Sequence, residues 1–310
     1  MSIAFVFPGQ GAQTIGMGQS LAQAYPAAKA VFEEVDDALG EKLSALIWEG
    51  EIDTLTLTEN AQPALMATSM AAMAALQTKG IDVDRAAFVA GHSLGEYSAL
   101  CAAGTFSLAD TARLLRIRGR AMQAAVPVGE GAMAAVLGLD AVAADKVAQD
   151  AAQGDVCQLA NENDPTQNVL SGSKAAIDRA VVLAKEAGAK RALPLPVSAP
   201  FHCALMQPAA DEMACALADV TMHDPAVPVV ANVLAESVGV SDQIKALLVE
   251  QVTGRVRWRS SVEWMVAQGV TEFWEIGAGK ALSGMIRRIS KESTCRSVGA
   301  PEDVASVAGA

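Results

Sequence analysis

The chain is short of several groups that would point quickly to a function. Its five cysteines, Cys101, Cys157, Cys203, Cys215 and Cys295, are scattered over 310 residues without a C-x-x-C pair. A chain of this length needs no disulfide staple, so an odd, dispersed set indicates a reducing, cytoplasmic setting. Only three histidines are present, His92, His202 and His223, which leaves few imidazole bases; no metal centre is expected. Basic charge is scarce as well: 23 Lys and Arg against 35 Asp and Glu give a formal net charge of -12. Nucleic-acid binding draws its affinity from neutralised phosphates, so it is excluded as a general activity. Long apolar runs are also missing. Ala64 to Leu76, the longest helical apolar stretch, is interrupted by Thr68 and Ser69 and is short for a membrane span. Met1 to Phe7 has no basic lead and meets Pro8 and Gly9 too early for a signal peptide. What remains is globular, with 52% hydrophobic residues, enough for one large core or for a large and a small domain.

One short stretch organises the rest. Gly91-His92-Ser93-Leu94-Gly95-Glu96 lies between an apolar strand pattern ending at Ala90 and an alanine-rich helical pattern beginning at Leu94. A strand that turns at once into a helix must reverse within one or two residues, and glycines on both sides of Ser93 remove the side chains that would collide. The hydroxyl is thereby pushed outward. The free N–H groups of the following helix aim at any negative charge forming beside it, as acyl transfer requires. The same pentapeptide could also simply end a strand and cap a helix, since serine is a good N-cap.

Ile3 to Phe7 reads as a buried strand followed by the loop Pro8-Gly9-Gln10-Gly11-Ala12-Gln13. It matches neither the dinucleotide fingerprint, which wants glycine at Thr14, nor the P-loop, which wants lysine at Met17. It is either an ordinary connection or a place where the Gln10 main chain approaches a substrate. Gln62-Pro63 suggests a helix start, with Pro63 in its first turn and Gly80 as its stop. Ser107 and Asp110 form a capping box for a helix running to about Ala124. On that helix Arg113, Arg116 and Arg120 share the side opposite Leu108, Leu115 and Met122, so they are expected to face water. Arg118 falls on the apolar side. A buried guanidinium keeps its charge and needs an anion, which could be a buried Asp or Glu or the carboxylate of a substrate.

From Gly131 the elements shorten. Ala132 to Leu137, Val156 to Asn161, Val169 to Ser171 and Lys190 to Pro196 read as strands, with helices at Ala141 to Ala152 and from Ser173 to Ala187. The order β-α-β-β-α-β is the split βαβ of ferredoxin-like domains. The expected organisation is a small subdomain at 127–198 inserted into a large α/β domain made of 1–126 and 199–310. Asn161 to Pro165 is expected to form the loop between its middle strands. The chain returns through Pro196 to His202, which places His202 at a helix start, where the dipole would keep its ring neutral. With His92 on the serine turn and His223 in a polar loop, His202 is the better general base. A strand near Pro228 to Ala231, a helix through Gln251, a helix near Ser261 to Gln268 and a strand at Glu272 to Ile276 follow, and the tail after Gly299 is expected to fray.

These residues together resemble the malonyl-CoA:acyl carrier protein transacylases of fatty acid synthesis and the acyltransferase domains of polyketide synthases. The resemblance rests on Phe7 to Gln13, on Gly91 to Glu96, on Arg118-Gly119 with Met122-Gln123, on Asn161 with Asn163, on Ser198 to His202, and on Glu250-Gln251 before Val256-Arg257-Trp258. Departures are mild: Ala12 stands where many relatives carry serine, and Thr253-Gly254 where Asn-Pro is frequent. The resemblance implies an α/β-hydrolase-like large domain with a parallel sheet, and malonyl transfer from malonyl-CoA to the phosphopantetheine thiol of an acyl carrier protein, with no bound cofactor. It implies Ser93 as nucleophile, His202 as base, the Gln10 and Leu94 N–H groups as oxyanion donors, and Arg118 for the malonyl carboxylate. A main-chain carbonyl near Gln251 would orient His202, with His92, Asn161 and Ser198 in support. Lys190, Arg191, Arg287 and Arg288 are candidates for docking the acidic carrier to an acidic chain, which is read as a monomer off the membrane. Two other readings stand beside this one: a serine esterase or thioesterase that would use the same Ser93 and His202, and a non-catalytic carrier-binding module.

Overall fold

Ile3, Phe5 and Phe7 belong to one apolar core and Ala4 and Val6 to another, as the two-residue period of a strand requires. They form the middle of a sheet covered on both faces, which is why the run is apolar throughout and does not alternate. The computed structural model describes residues 2–197 and 199–309; Ser198 lies outside the described residues. Among those described, the strands are β1 (Ser2–Phe7), β2 (Phe88–Gly91), β3 (Gly131–Leu137), β4 (Cys157–Asp164), β5 (Gln167–Ser173), β6 (Arg191–Pro194), β7 (Val229–Val230), β8 (Ser237–Val238), β9 (Val270–Ile276) and β10 (Thr294–Val298). The larger sheet runs β10-β9-β1-β2-β7-β8, parallel except for its last pair. Its loops at the carboxyl ends of β1, β2 and β7 carry Gln10, Ser93 and Asn232, the edge where open α/β sheets bind ligands.

The helix Thr58–Gln77 is buried on almost every side, chiefly among the helices Leu108–Ala124, Pro26–Leu39 and Gly95–Ala102. It begins four residues before the expected Gln62, so Pro63 sits inside it and not in its first turn. The N–H that Pro63 lacks would have met the Glu59 carbonyl. That carbonyl instead accepts from Arg116 Nη1 at 2.6 Å. Arg116 is therefore buried, contrary to the expectation from the helical wheel, and it also pairs with Glu41. Arg113 and Arg120 are exposed as expected.

The smaller sheet, β4-β5-β3-β6, is antiparallel throughout, and the helices Ala141–Ala152 and Lys174–Glu186 pack on it over a core of their own. This is the expected βαββαβ order. Asn161 to Asp164 do not form a loop, however. They extend β4 with two irregularities in register, and Val256 pairs alongside: its N–H donates to Ala160 O at 2.8 Å and its carbonyl accepts from Glu162 N at 2.9 Å. A polar composition suggested a turn, but the strand is polar because Asn161 and Asn163 line the pocket described below and Asp164 pairs with Arg288. The tail does not fray either. Pro301–Ala308 is a helix that buries Val304 and Val307, and Asp303 Oδ2 accepts the Gly299 and Ala300 N–H groups at its start.

Candidate active site

The turn after β2 is tight enough to require both of its glycines. A Cβ on Gly91 would lie 1.9 Å from the Gly95 carbonyl carbon and oxygen, and one on Gly95 would lie 2.3 Å from Phe7 O. Both obstacles are backbone, so Gly91→Ala should cost at least the ~1–3 kcal/mol typical of overpacking. A thermal melt beside an assay of covalent loading checks this; an unchanged melting temperature would contradict the geometry. Between the glycines Ser93 adopts φ 55°, the left-handed conformation of a nucleophile turn. Asn232 secures it: Oδ1 accepts the Ser93 N–H at 2.8 Å while Nδ2 donates to Gly91 O at 2.7 Å.

Ser93 Oγ stands 2.7 Å from His202 Nε2. On the far side of the ring, Nδ1 faces the Gln251 carbonyl at 2.9 Å and the Gly254 carbonyl at 3.2 Å. Carbonyls only accept, so Nδ1 carries the proton and Nε2 presents its lone pair to the serine hydroxyl. No Asp or Glu takes the third place among the described contacts. The ring is buried and its pKa is lowered to about 3, first by burial and next by the charge of Arg118. A helix dipole is not the cause, because the helix ahead of it begins only at Gln207, after a short 3-10 turn at Ala204–Met206.

Arg118 is buried as expected, but among the described residues no carboxylate touches it. Its Nη1 donates to Gln62 Oε1 at 2.7 Å, and its Nη2 donates to Gln251 Oε1 at 2.9 Å and to Ser93 Oγ at 3.2 Å. The Tyr97 ring lies under the guanidinium, 5.6 Å from centroid to Cζ. Gln62 passes the chain on to Thr58, whose hydroxyl donates to Gln10 Oε1 at 3.0 Å. The guanidinium thus meets only neutral groups, and its charge is available to a ligand.

These groups open onto a pocket of about 390 Å³ lined by Gln10, His92, Ser93, Leu94, Arg118, Asn161 and His202, among others. His92 Nε2 is 2.8 Å from Asn163 Oδ1, and its ring leans on the fully buried Trp258. Gln251 lies beneath the pocket. Lys190, Arg191, Arg287 and Arg288 are exposed and outside its lining, although β6 runs on into the lining residues Leu195 to Val197 and the helix Ala281–Ile289 contributes Met285. Arg288 is already paired with the buried Asp164 at 2.6 Å.

Sequence reasoning missed Asn232 and Gln62 and gave Glu96 no role. Asn232 carries a legible signal, a polar residue directly after an apolar parallel strand. Gln62 carries none, since its partners are distant in sequence.

Residues 4–304 match the acyl transferase domain family. The malonyl CoA-acyl carrier protein transacylase of Bacillus subtilis is 49% identical over 97% of this chain and 95% of its own, and that of Escherichia coli K12 is 47% identical over 97% of each. The crystal structure of the acyl-carrier-protein-S-malonyltransferase from Bartonella henselae superposes with a TM-score of 0.98 at 56% identity over all of both chains. A malonyl-transacylase solved with its type II PKS acyl-carrier protein superposes at 0.97, with 42% identity over 100% of this chain and 99% of that one. With an α/β-hydrolase-like body, a ferredoxin-like subdomain and this degree of likeness along its whole length, the chain belongs to the malonyl CoA-acyl carrier protein transacylase family.

Proposed function

We propose that the chain transfers the malonyl group of malonyl-CoA to the phosphopantetheine thiol of an acyl carrier protein through an ester on Ser93. The observation that carries the reading is the placement of Arg118: a guanidinium with neutral partners only, 3.2 Å from a serine hydroxyl that is itself 2.7 Å from a neutral imidazole. A hydrolase acting on uncharged acyl groups has no use for a buried cation there.

In the first half-reaction the Ser93 oxygen bonds to the thioester carbonyl carbon as its proton passes to His202 Nε2. The carbon–sulfur bond then breaks and coenzyme A leaves with that proton. In the second, the carrier thiol gives its proton to Nε2 and its sulfur takes the carbonyl carbon, while the departing Ser93 oxygen recovers the proton. Both tetrahedral intermediates place an oxyanion near the Gln10 and Leu94 N–H groups. The amides of Ser93, Gly95, Glu96 and Tyr97 already have acceptors, which supports Leu94 as the free donor of the turn. The free malonyl carboxylate pairs with Arg118. Coenzyme A and phosphopantetheine are parts of the substrates, and the cycle uses no resident cofactor. Ping-pong kinetics and an intact-protein mass gain of one malonyl group test the reading; a ternary-complex pattern with no adduct would overturn it.

The proposal takes 127–198 as the inserted subdomain, one chain as the working unit, since all the named groups come from it, and the cytoplasm as the setting, in keeping with five free thiols. For docking it weights Lys190, Arg191 and Arg287 over the already paired Arg288. Reversing Lys190 and Arg191 together should raise the KM for the carrier by about tenfold at low salt and flatten its salt dependence. Malonyl-CoA loading should be unaffected; equal losses in both steps would point to a folding defect.

A further inference from the structure

Arg118 poses a problem that the proposed function leaves open: a buried guanidinium cannot shed its charge, yet no anion touches it among the described residues. The nearest candidate is Glu96, 1% exposed, on the helix that follows the nucleophile. Gln251 stands between them. Its Oε1 accepts from Arg118 at 2.9 Å, and its Nε2 donates to Glu96 Oε2 at 3.0 Å and to Ser93 O at 3.0 Å. A third, longer contact of Nε2 reaches Asn232 Oδ1 at 3.4 Å; all three are acceptors and the contact of Oε1 is a donor, so the amide has one allowed orientation. The same Glu96 Oε2 accepts the Asn232 N–H at 2.8 Å. Glu96 thereby ties together the two residues that hold Ser93 and the carbonyl that orients His202.

We propose that Glu96 is a positioning residue of the acyl-carboxylate site, a counter-ion held one amide away from Arg118 so that the guanidinium is balanced yet still open to the substrate. The inference rests on the reading that Arg118 takes the malonyl carboxylate. An Asp or Glu in direct contact would occupy the fork. Spaced by Gln251, the charge lowers the cost of burying Arg118 without filling its place in the pocket. The substrate carboxylate and Glu96 then compete for one cation, and protonation of Glu96 relieves that competition.

The competition has a pH signature. Burial pushes the Glu96 carboxyl up to about 7, against the opposing pull of its Asn232 and Gln251 hydrogen bonds and of Arg118. Arg118 comes from the helix Leu108–Ala124, Tyr97 from Glu96's own helix, and the groups from the loop after β7 and from the helix Ser241–Thr253 are the neutral Asn232 and Gln251. Tyr97 is pushed to about 12, His202 to about 3, and burial lowers His92 as well. Tyr97 and His202 keep their charge state around neutrality, whereas Glu96 changes its own there. Below about 7 it is protonated and malonyl-CoA meets an uncontested Arg118; above it, the carboxylates repel.

The test compares pH profiles of kcat/KM for half-reaction loading with malonyl-CoA and with acetyl-CoA, in the wild type and in Glu96→Gln. Wild-type malonyl loading should fall by about fivefold or more as pH rises through about 7. Acetyl loading, with no carboxylate to repel, should show no such fall. Glu96→Gln keeps an acceptor oxygen for Asn232 and Gln251, so it should hold the low-pH malonyl plateau at all pH values and match the wild-type melting temperature below about 7, where Glu96 is protonated. A fall shared by both substrates in the wild type, or one that persists in Glu96→Gln, would overturn the proposal. So would parallel losses for both substrates with a lowered melting temperature, the mark of a merely structural residue. The wild-type comparison stands even if the variant does not fold. Failure of the parent reading would look different, as no malonyl ester on Ser93 at any pH.

Discussion

Ser93→Ala mixed with malonyl-CoA is expected to show no mass gain, whereas the wild type gains one malonyl group that maps to the peptide carrying Ser93. The expectation follows from what else the pocket offers. Cys203, next to the base, is fully buried, donates its thiol to Pro200 O at 3.1 Å and has its pKa raised by burial, so it is neither accessible nor ionised. An adduct that persists in Ser93→Ala, or one that maps to Cys203, would end the assignment. His202→Ala should still bind substrate but load at a rate lower by roughly 10²–10⁴-fold, the usual contribution of a general base. His92 is the competitor, and a full-speed variant would transfer the role to it; its ring nitrogen faces Asn163 and not the serine. The His202 pKa has a further consequence. A folded value of about 3, against an ordinary 6.5, keeps the base neutral down to strongly acid pH. Loading should therefore show no acid limb near 6.5. Stability, by contrast, should be lost as pH falls across that window, because the unfolded chain takes up a proton there that the folded chain refuses.

The features legible in the sequence were those with local causes. The nucleophile turn was readable because glycine is needed on both sides of a strand-to-helix reversal, and the Ser107 cap because its partner is three residues away. The βαββαβ insert followed from short alternating elements. The errors came where distant residues override local preference. Pro63 suggested a helix start, but Arg116, far along the chain, supplies the missing hydrogen-bond donor and lets the helix run through. Asn161 to Asp164 looked like a loop because polar strands are rare away from pockets. In the site itself, the inward face of Arg118 was readable from helical spacing. Its partners were not, because Gln62, Ser93, Tyr97 and Gln251 meet it from separate elements, and nothing in a linear pattern foretells that an amide will stand where a carboxylate could.

Arg118→Ala should separate a malonyl transferase from a general serine acyltransferase in one experiment. If the guanidinium pairs with the free carboxylate of the malonyl group, its removal should lower kcat/KM for malonyl-CoA by about 2–5 kcal/mol, the cost of truncating one partner of a buried hydrogen-bonded charge pair. Acetyl-CoA has no group for Arg118 to hold, and in the wild type it leaves that cation facing an empty place. Two features of the resting site indicate that acetyl transfer should be spared or improved. Arg118 Nη2 donates to Ser93 Oγ at 3.2 Å and so occupies a lone pair the nucleophile needs. Its charge is also the second cause of the lowered His202 pKa, so without it the base strengthens. Selectivity should therefore shift from malonyl toward acetyl. The fold should survive, because the carboxyl left behind is Glu96, already raised to about 7, which can take a proton instead of standing as a buried unpaired charge. Were Arg118 instead one half of a structural ion pair, both substrates would suffer together and the melting temperature would drop. Measuring kcat/KM for both acyl-CoAs in wild type and variant, beside a thermal melt, distinguishes the two, and parallel losses in a destabilised protein would remove Arg118 from the substrate site.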